Sequence, residues 1–119
     1  MEGGFVSDCV FCQISRGEAP AEILRANEEH LVIVPLNPVT EGHVLVIPRI
    51  HVVDAAENLN ITGRIMEWAG HWVATKTNLS ANIITSIGPE ATQTVFHFHV
   101  HVVPRRKGDG LALPWTVKS

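Results

Sequence analysis

With 119 residues, 45% apolar and 18% charged, the chain is long enough for one globular core and too short for two. A net charge of −3 argues against nucleic-acid polymers as partners, because phosphate backbones call for a strong basic surplus. No run reaches the ~20 apolar residues of a membrane-spanning helix, and Met1–Asp8 has no basic residue ahead of an apolar run, so no signal peptide is expected and the cytoplasm is the default compartment.

Cys9 and Cys12 form a C-x-x-C in a short looped or helical N-terminal piece, residues 9–18, ended by Gly17 and Pro20. Without secretory context this pattern favours metal binding or redox chemistry over a structural disulfide. Glu22–Ala26 and His30–Val34 read as short strands with Asn27-Glu28-Glu29 turning between them. Asn37-Pro38 and Glu41-Gly42 mark a loop, and the apolar run His43–Ile47, stopped by Pro48, suits a central strand. From about Asp54 to Thr77 the period changes. Ile61, Ile65, Trp68, Ala69, Trp72 and Val73 then form one face of an amphipathic helix, which Gly63 and Gly70 weaken by up to ~1 kcal/mol each. Ala81–Ser86 predicts another strand, and Thr94–Val103 a last long one stopped by Pro104. The tail from Gly108 reads as irregular, with Trp115 its one large anchor. Arg105-Arg106-Lys107 reads as a solvated loop, and His30 and His71 as surface or helix-face residues. No repeat or linker divides the chain, so residues 1–119 are read as a single domain. The expected fold is α+β: an antiparallel sheet of about five strands, one main helix and a short N-terminal segment.

Seven histidines are many for this length, and three fall within five positions. Alternation along a strand from Val95 to Val103 would put His97, His99 and His101 on one face, ~6.5–7 Å apart. Phe96, Phe98, Val100 and Val102 would take the other face and fill the core. Three aligned imidazoles need ligands or hydrogen-bond partners, because a buried unpaired polar group costs ~1–3 kcal/mol. On these residues alone the readings stay open between a metal site, since two histidines at i, i+2 on a strand can ligate one zinc, and a purely structural triad.

The stretch His97-Phe98-His99-Val100-His101-Val102-Val103 resembles the signature of the histidine triad (HIT) superfamily. The flanks Gly88–Val95 and Pro104-Arg105, the upstream stretch Asn37–Pro48, and Cys9-Val10-Phe11-Cys12 with Gly17–Ala21 are similar to the same family, the last to its bacterial Hint-like branch. The resemblance implies a two-step reaction at the α-phosphorus of a nucleotide, with His99 forming a covalent nucleotidyl-histidine that water then hydrolyses. Neutral imidazole, with a pKa near 6.5, suits such a nucleophile at pH 7. His101 would stabilise phosphoryl oxygens, Thr94 would pass a proton to the leaving group, Gln93 and Thr94 would contact the phosphate or bridging atom, and His43 would line the phosphate pocket. By the same resemblance, substrate-binding positions include Ser86, where an amide is usual. Pro35 stands where an acid or Asn usually grips the ribose, which shifts that role toward Asn37.

The implied activity is that of a purine nucleoside phosphoramidase. The alternatives are a dinucleoside polyphosphate hydrolase of the Fhit-like kind and a nucleotide-binding regulator with weak turnover. The resemblance also implies a homodimer, with Trp68 and Trp72 as interface anchors, and a structural zinc held by Cys9, Cys12, His51 and His97. A redox C-x-x-C and a pair of unligated buried cysteines are the rival readings of the thiols.

Overall fold

The computed structural model describes residues 4–116. In chain order these form α1 (Val10–Ser15), β1 (Glu22–Ala26), β2 (His30–Val34), β3 (Val44–Pro48), α2 (Leu59–Ala74), β4 (Ser80–Ile84) and β5 (Val100–Arg105). The strands make one sheet in the order β1-β2-β3-β5-β4, every neighbouring pair antiparallel. The α+β architecture is as expected from the sequence. Among the described residues, no helix is long and apolar enough to cross a membrane.

Strands β2 and β3 are almost wholly buried because both faces of the sheet are covered. On one face Val32, Val44, Val46, Val100, Val102 and Phe98 pack against Ile65, Ala69 and Trp72 of α2. On the other, Leu31, Ile33, Leu45 and Ile47 pack against Phe11 and Ile14 of α1. The amphipathic helix is shorter than its periodicity suggested. Asn58 caps it, its Oδ1 accepting from the Asn60 and Ile61 N–H groups at 3.1 and 3.2 Å, while Asp54–Glu57 form turns.

The last strand departs most from expectation. It begins at Val100, not Thr94, and runs through Pro104 to Arg105. Its partners explain the start: β3 pairs with it only from Val102 back to Val46↔Val100, and β4 ends opposite His101. Residues 94–99 are therefore a loop, tied by the Phe98 N–H to the Val52 carbonyl at 2.7 Å and by the Thr85 hydroxyl to the His99 carbonyl at 2.8 Å. Strand alternation fails there. Phe98 is 1% exposed and central to the core, whereas Phe96, expected beside it, is 46% exposed. Pro104 is tolerated because β3 no longer flanks the strand at that point.

Two other expectations are corrected. His30 is buried, its ring stacked on Trp68 at 4.3 Å, so it is no surface residue. Arg105 and Arg106 are not simply solvated. Arg105 makes a salt bridge to Asp109 at 2.8 Å, and Arg106 donates to the Thr40 hydroxyl at 2.8 Å and the Glu41 carbonyl at 3.1 Å. His71 is exposed on α2, as read.

Candidate active site and metal centre

A cavity of about 770 Å³ opens on the α1 side of the sheet, walled by Val10, Phe11 and Ile14 of α1, by Leu45, and by the loop 35–39. His43, His101 and Thr94 line it near the start of β5, and Glu22 is a further polar residue of its wall. Pro35 and Asn37 also line it, so an amide is present where Pro35 offers no acceptor. His99 stands beside the cavity, its ring centroid 5.2 Å from His101 and 5.3 Å from Phe11, both of which line it.

Hydrogen-bond partners fix which nitrogen of each ring carries the proton. Gly42, at φ 88°, turns the chain into β3, and a Cβ there would meet Pro104 at 3.1 Å. The turn brings the next residue, His43, under the Val39 N–H, which donates to Nδ1 at 3.0 Å. His43 must then be protonated on Nε2, which lies 3.0 Å from His101 Nδ1. His101 accepts there and keeps its own proton on Nε2. The third ring is set independently. The His97 carbonyl, which can only accept, lies 2.8 Å from His99 Nδ1, so that nitrogen is the donor and His99 Nε2 is left bare.

Burial lowers the pKa of all these rings. His101 is pushed down to about 4 by burial, with His99 and His43 adding to the effect. His43 is lowered by burial, and His99 by burial against an opposing hydrogen bond to His97. The three imidazoles are therefore neutral at pH 7. The arrangement joins one unprotonated ring nitrogen to one N–H donor beside a largely apolar cavity that Glu22, Asn37 and Thr94 also line. That pair can attack an electrophilic centre and hold an oxygen bound to it.

His97 leaves the triad. Wholly buried, it donates from Nε2 to the Pro48 carbonyl at 2.8 Å, which leaves Nδ1 bare. That nitrogen lies 3.3 Å from Cys9 Sγ, 3.6 Å from Cys12 Sγ and 3.2 Å from His51 Nδ1. The four ligand atoms all fall within 4.8 Å of one another, so Cys9, Cys12, His51 and His97 form a cluster able to hold a metal ion. Burial raises the Cys12 thiol, so a cation is what would favour its thiolate. Two thiols and two imidazole nitrogens are the donor set of a closed tetrahedral zinc site.

Two expected substrate contacts sit elsewhere. Gln93 is buried and its amide is committed to the loop: it donates to the Val53 and Val95 carbonyls at 2.8 and 3.1 Å and accepts from the Gly88 N–H at 2.8 Å. Ser86 follows β4, half-buried, and is not among the residues lining the cavity. The structure also adds contributors that carry no side-chain signal, the Val39 N–H and the Pro48 carbonyl. Phe11, edge-on to His97 at 5.6 Å and to His99, was foreshadowed only by lying inside the C-x-x-C.

Residues 16–108 match the family model described as the HIT domain. A zinc-bound histidine triad family protein from Mycobacterium smegmatis shares 41% identity, with a TM-score of 0.77, over 88% of this chain and 80% of that one. A HIT family hydrolase from Clostridium thermocellum shares 31% identity, with a TM-score of 0.76, over 95% of this chain and 97% of that one. The adenylylsulfatase HINT3 of Arabidopsis thaliana is 33% identical over 95% of this chain and 58% of its own length. By the domain match, which takes in well over half of the residues, the chain belongs to the HIT family.

Proposed function

We propose that the protein is a nucleotide hydrolase that works through a covalent nucleotidyl-histidine on His99, with nucleoside phosphoramidates as its preferred substrates. One observation carries this reading: the His97 carbonyl holds His99 Nδ1–H at 2.8 Å and leaves Nε2 bare. In the first step His99 Nε2 forms a bond to the α-phosphorus as the bond to the leaving amine breaks, and the Thr94 hydroxyl passes a proton to that amine. His101 Nε2–H donates to a phosphoryl oxygen as charge grows on it. Water then attacks the phosphorus and gives its proton back to the Thr94 oxygen, the bond to His99 Nε2 breaks with its electron pair returning to that nitrogen, and the nucleoside monophosphate is released. The apolar walls of the cavity take the base, and Asn37 takes the ribose hydroxyls in place of Pro35. Zinc, held by Cys9, Cys12, His51 and His97, supplies structural cross-linking of the N-terminal segment to the sheet.

The test is a quench of enzyme mixed with radiolabelled adenosine and guanosine phosphoramidates, dinucleoside polyphosphates and adenylyl sulfate. An acid-labile, alkali-stable adduct on wild type but not on His99→Ala supports the reading, and the best-cleaved class names the leaving group. Nucleoside monophosphate binding without adduct or turnover marks a nucleotide-binding regulator and sinks it.

A homodimer is part of the same proposal. Trp72, expected beside Trp68 as an interface anchor, is instead buried in the core against the sheet, whereas Trp68 remains half-exposed and Met66, Ile83 and Ile84 are exposed. Pairing through α2 and a neighbouring strand would cover such a surface. Sedimentation at micromolar concentration should give about twice 13.0 kDa, and a clean species at that single mass would contradict it.

A further inference from the structure

His97 belongs to two constellations at once. Its ring joins Cys9, Cys12 and His51 through Nδ1, while its backbone carbonyl is the acceptor that holds His99 Nδ1–H at 2.8 Å. Among the described residues, the other bonds that anchor this loop, whose residues 94–99 lie outside the sheet's ladders, run from the Phe98 N–H to the Val52 carbonyl, from the Thr85 hydroxyl to the His99 carbonyl, from the Gln93 amide to the Val95 carbonyl and from the His97 ring to the Pro48 carbonyl. A second link runs through α1. Cys9 accepts from the Cys12 N–H at 3.4 Å at the start of that helix. Between the two thiols in sequence, Phe11 sets its ring edge-on to His99 at 5.3 Å and 75° while walling the cavity with Val10 and Ile14. Without a cation, the two Nδ1 atoms of His51 and His97 face each other at 3.2 Å, and one shared proton is all that can join them.

We infer that His97 and Phe11 are positioning residues that couple occupancy of the Cys9–Cys12–His51–His97 cluster to the orientation of the His99 ring and to the shape of the cavity wall. The inference rests on the reading of His99 as nucleophile only for its kinetic readout; its spectroscopic readout stands alone. A metal ion that binds all four ligands fixes the His97 ring at both nitrogens, and with it the peptide carbonyl that sets the His99 tautomer. It also ties α1, and so Phe11, to the same point. Loss of the ion leaves the ring held only through Nε2 at the Pro48 carbonyl and loosens the His97 carbonyl and the Phe11 wall together.

The experiment compares protein loaded with one equivalent of zinc, the same protein stripped by chelation, and a Cys9→Ser/Cys12→Ser variant, all labelled with ¹⁵N-histidine. Loaded protein should give one sharp His99 pattern with Nδ1 protonated and Nε2 bare. In stripped protein the two nitrogens should average, while circular dichroism keeps its sheet signal. With a cleavable phosphoramidate, stripping should cut kcat/KM by tenfold to a hundredfold, the range that a small misplacement of a reacting group produces, and restored zinc should recover it. An unchanged His99 pattern in stripped protein overturns the coupling, as does uptake of less than a tenth of an equivalent of zinc. A variant that fails to fold leaves the chelated wild type to decide. If the protein cleaves no nucleotide while its His99 pattern still follows zinc, the proposed reaction fails and the coupling stands.

Discussion

The two faces of the sheet follow different rules. Toward α2 the contact is dry and regular: valines from three strands alternate inward onto Ile65, Ala69 and Trp72. Toward α1 the apolar layer is smaller and gives way, at the ends of β3 and β5, to thiols and imidazoles. The first face is held by hydrophobic burial, which depends on area and little on direction. The second is held by directional bonds that assign each ring nitrogen a task. Substitutions on the first should therefore read out as stability, and on the second as chemistry.

The largest separation of the two is expected for His99→Ala. Turnover of a nucleoside phosphoramidate should fall by at least about a thousandfold, as when a covalent nucleophile is removed. Thermal melting should move little, because the ring belongs to the polar side. Near-normal turnover by a folded variant would end the assignment of His99. On the α2 face the pattern inverts. Phe98→Ala should cost about 3–5 kcal/mol in denaturant unfolding, whereas Phe96→Ala should stay within about 0.5 kcal/mol. Equal losses at the two positions would restore the continuous strand from Thr94.

Much of this division was legible in the sequence, and its limits were physical. Short apolar runs bounded by turn residues and by Pro48 located β2 and β3, whose two faces are both covered, and the helical period located α2, which buries one face. The histidine signature led to His99 and His101, and the C-x-x-C with His51 and His97 to the metal cluster. Alternation misplaced Phe96 because a strand persists only while neighbours pair with it, and the pairing of β3 with β5 stops at Val46↔Val100. Nothing local reveals where a partner strand ends. The tautomers were equally out of reach, since they are set by the Val39 N–H and by the His97 and Pro48 carbonyls, main-chain groups that no side chain announces. His30 read as a surface residue because its Trp68 stack spans 38 positions in sequence.

His30 also sharpens the comparison, because it is a polar residue on the α2 side. Its Nδ1 donates to Asn27 Oδ1 at 2.9 Å, while Nε2 is buried without a partner among the described residues. Burial lowers its pKa, with Arg25 adding to the effect. As pH falls below the ordinary histidine value of ~6.5, the unfolded chain therefore takes up this proton before the folded one. Stability from this residue is complete above that pH and is lost as pH falls toward the depressed folded value. Denaturant unfolding at pH 7.5 and at pH 5.5 should give a smaller drop for His30→Phe than for wild type. An identical drop would assign the acid sensitivity to other groups.

The smallest expected effect tests whether the outer surface of α2 is free. Gly63 lies in the helix interior with helical backbone, and a Cβ built there meets nothing within 4 Å. Alanine removes backbone freedom from the unfolded chain and fits the helix without strain, so Gly63→Ala should stabilise by up to about 1 kcal/mol. The gain should appear in denaturant unfolding with phosphoramidate turnover unchanged, because Gly63 belongs to neither the cavity nor the metal cluster. The proposed homodimer gives the sign a second meaning. If a second copy packs closely over this part of α2, the added methyl meets that copy instead of solvent, and the stability gain becomes a loss that deepens with protein concentration. Unfolding midpoints at two concentrations tenfold apart separate the cases. A concentration-independent gain leaves Gly63 outside any interface, and a concentration-dependent loss puts α2 at its centre.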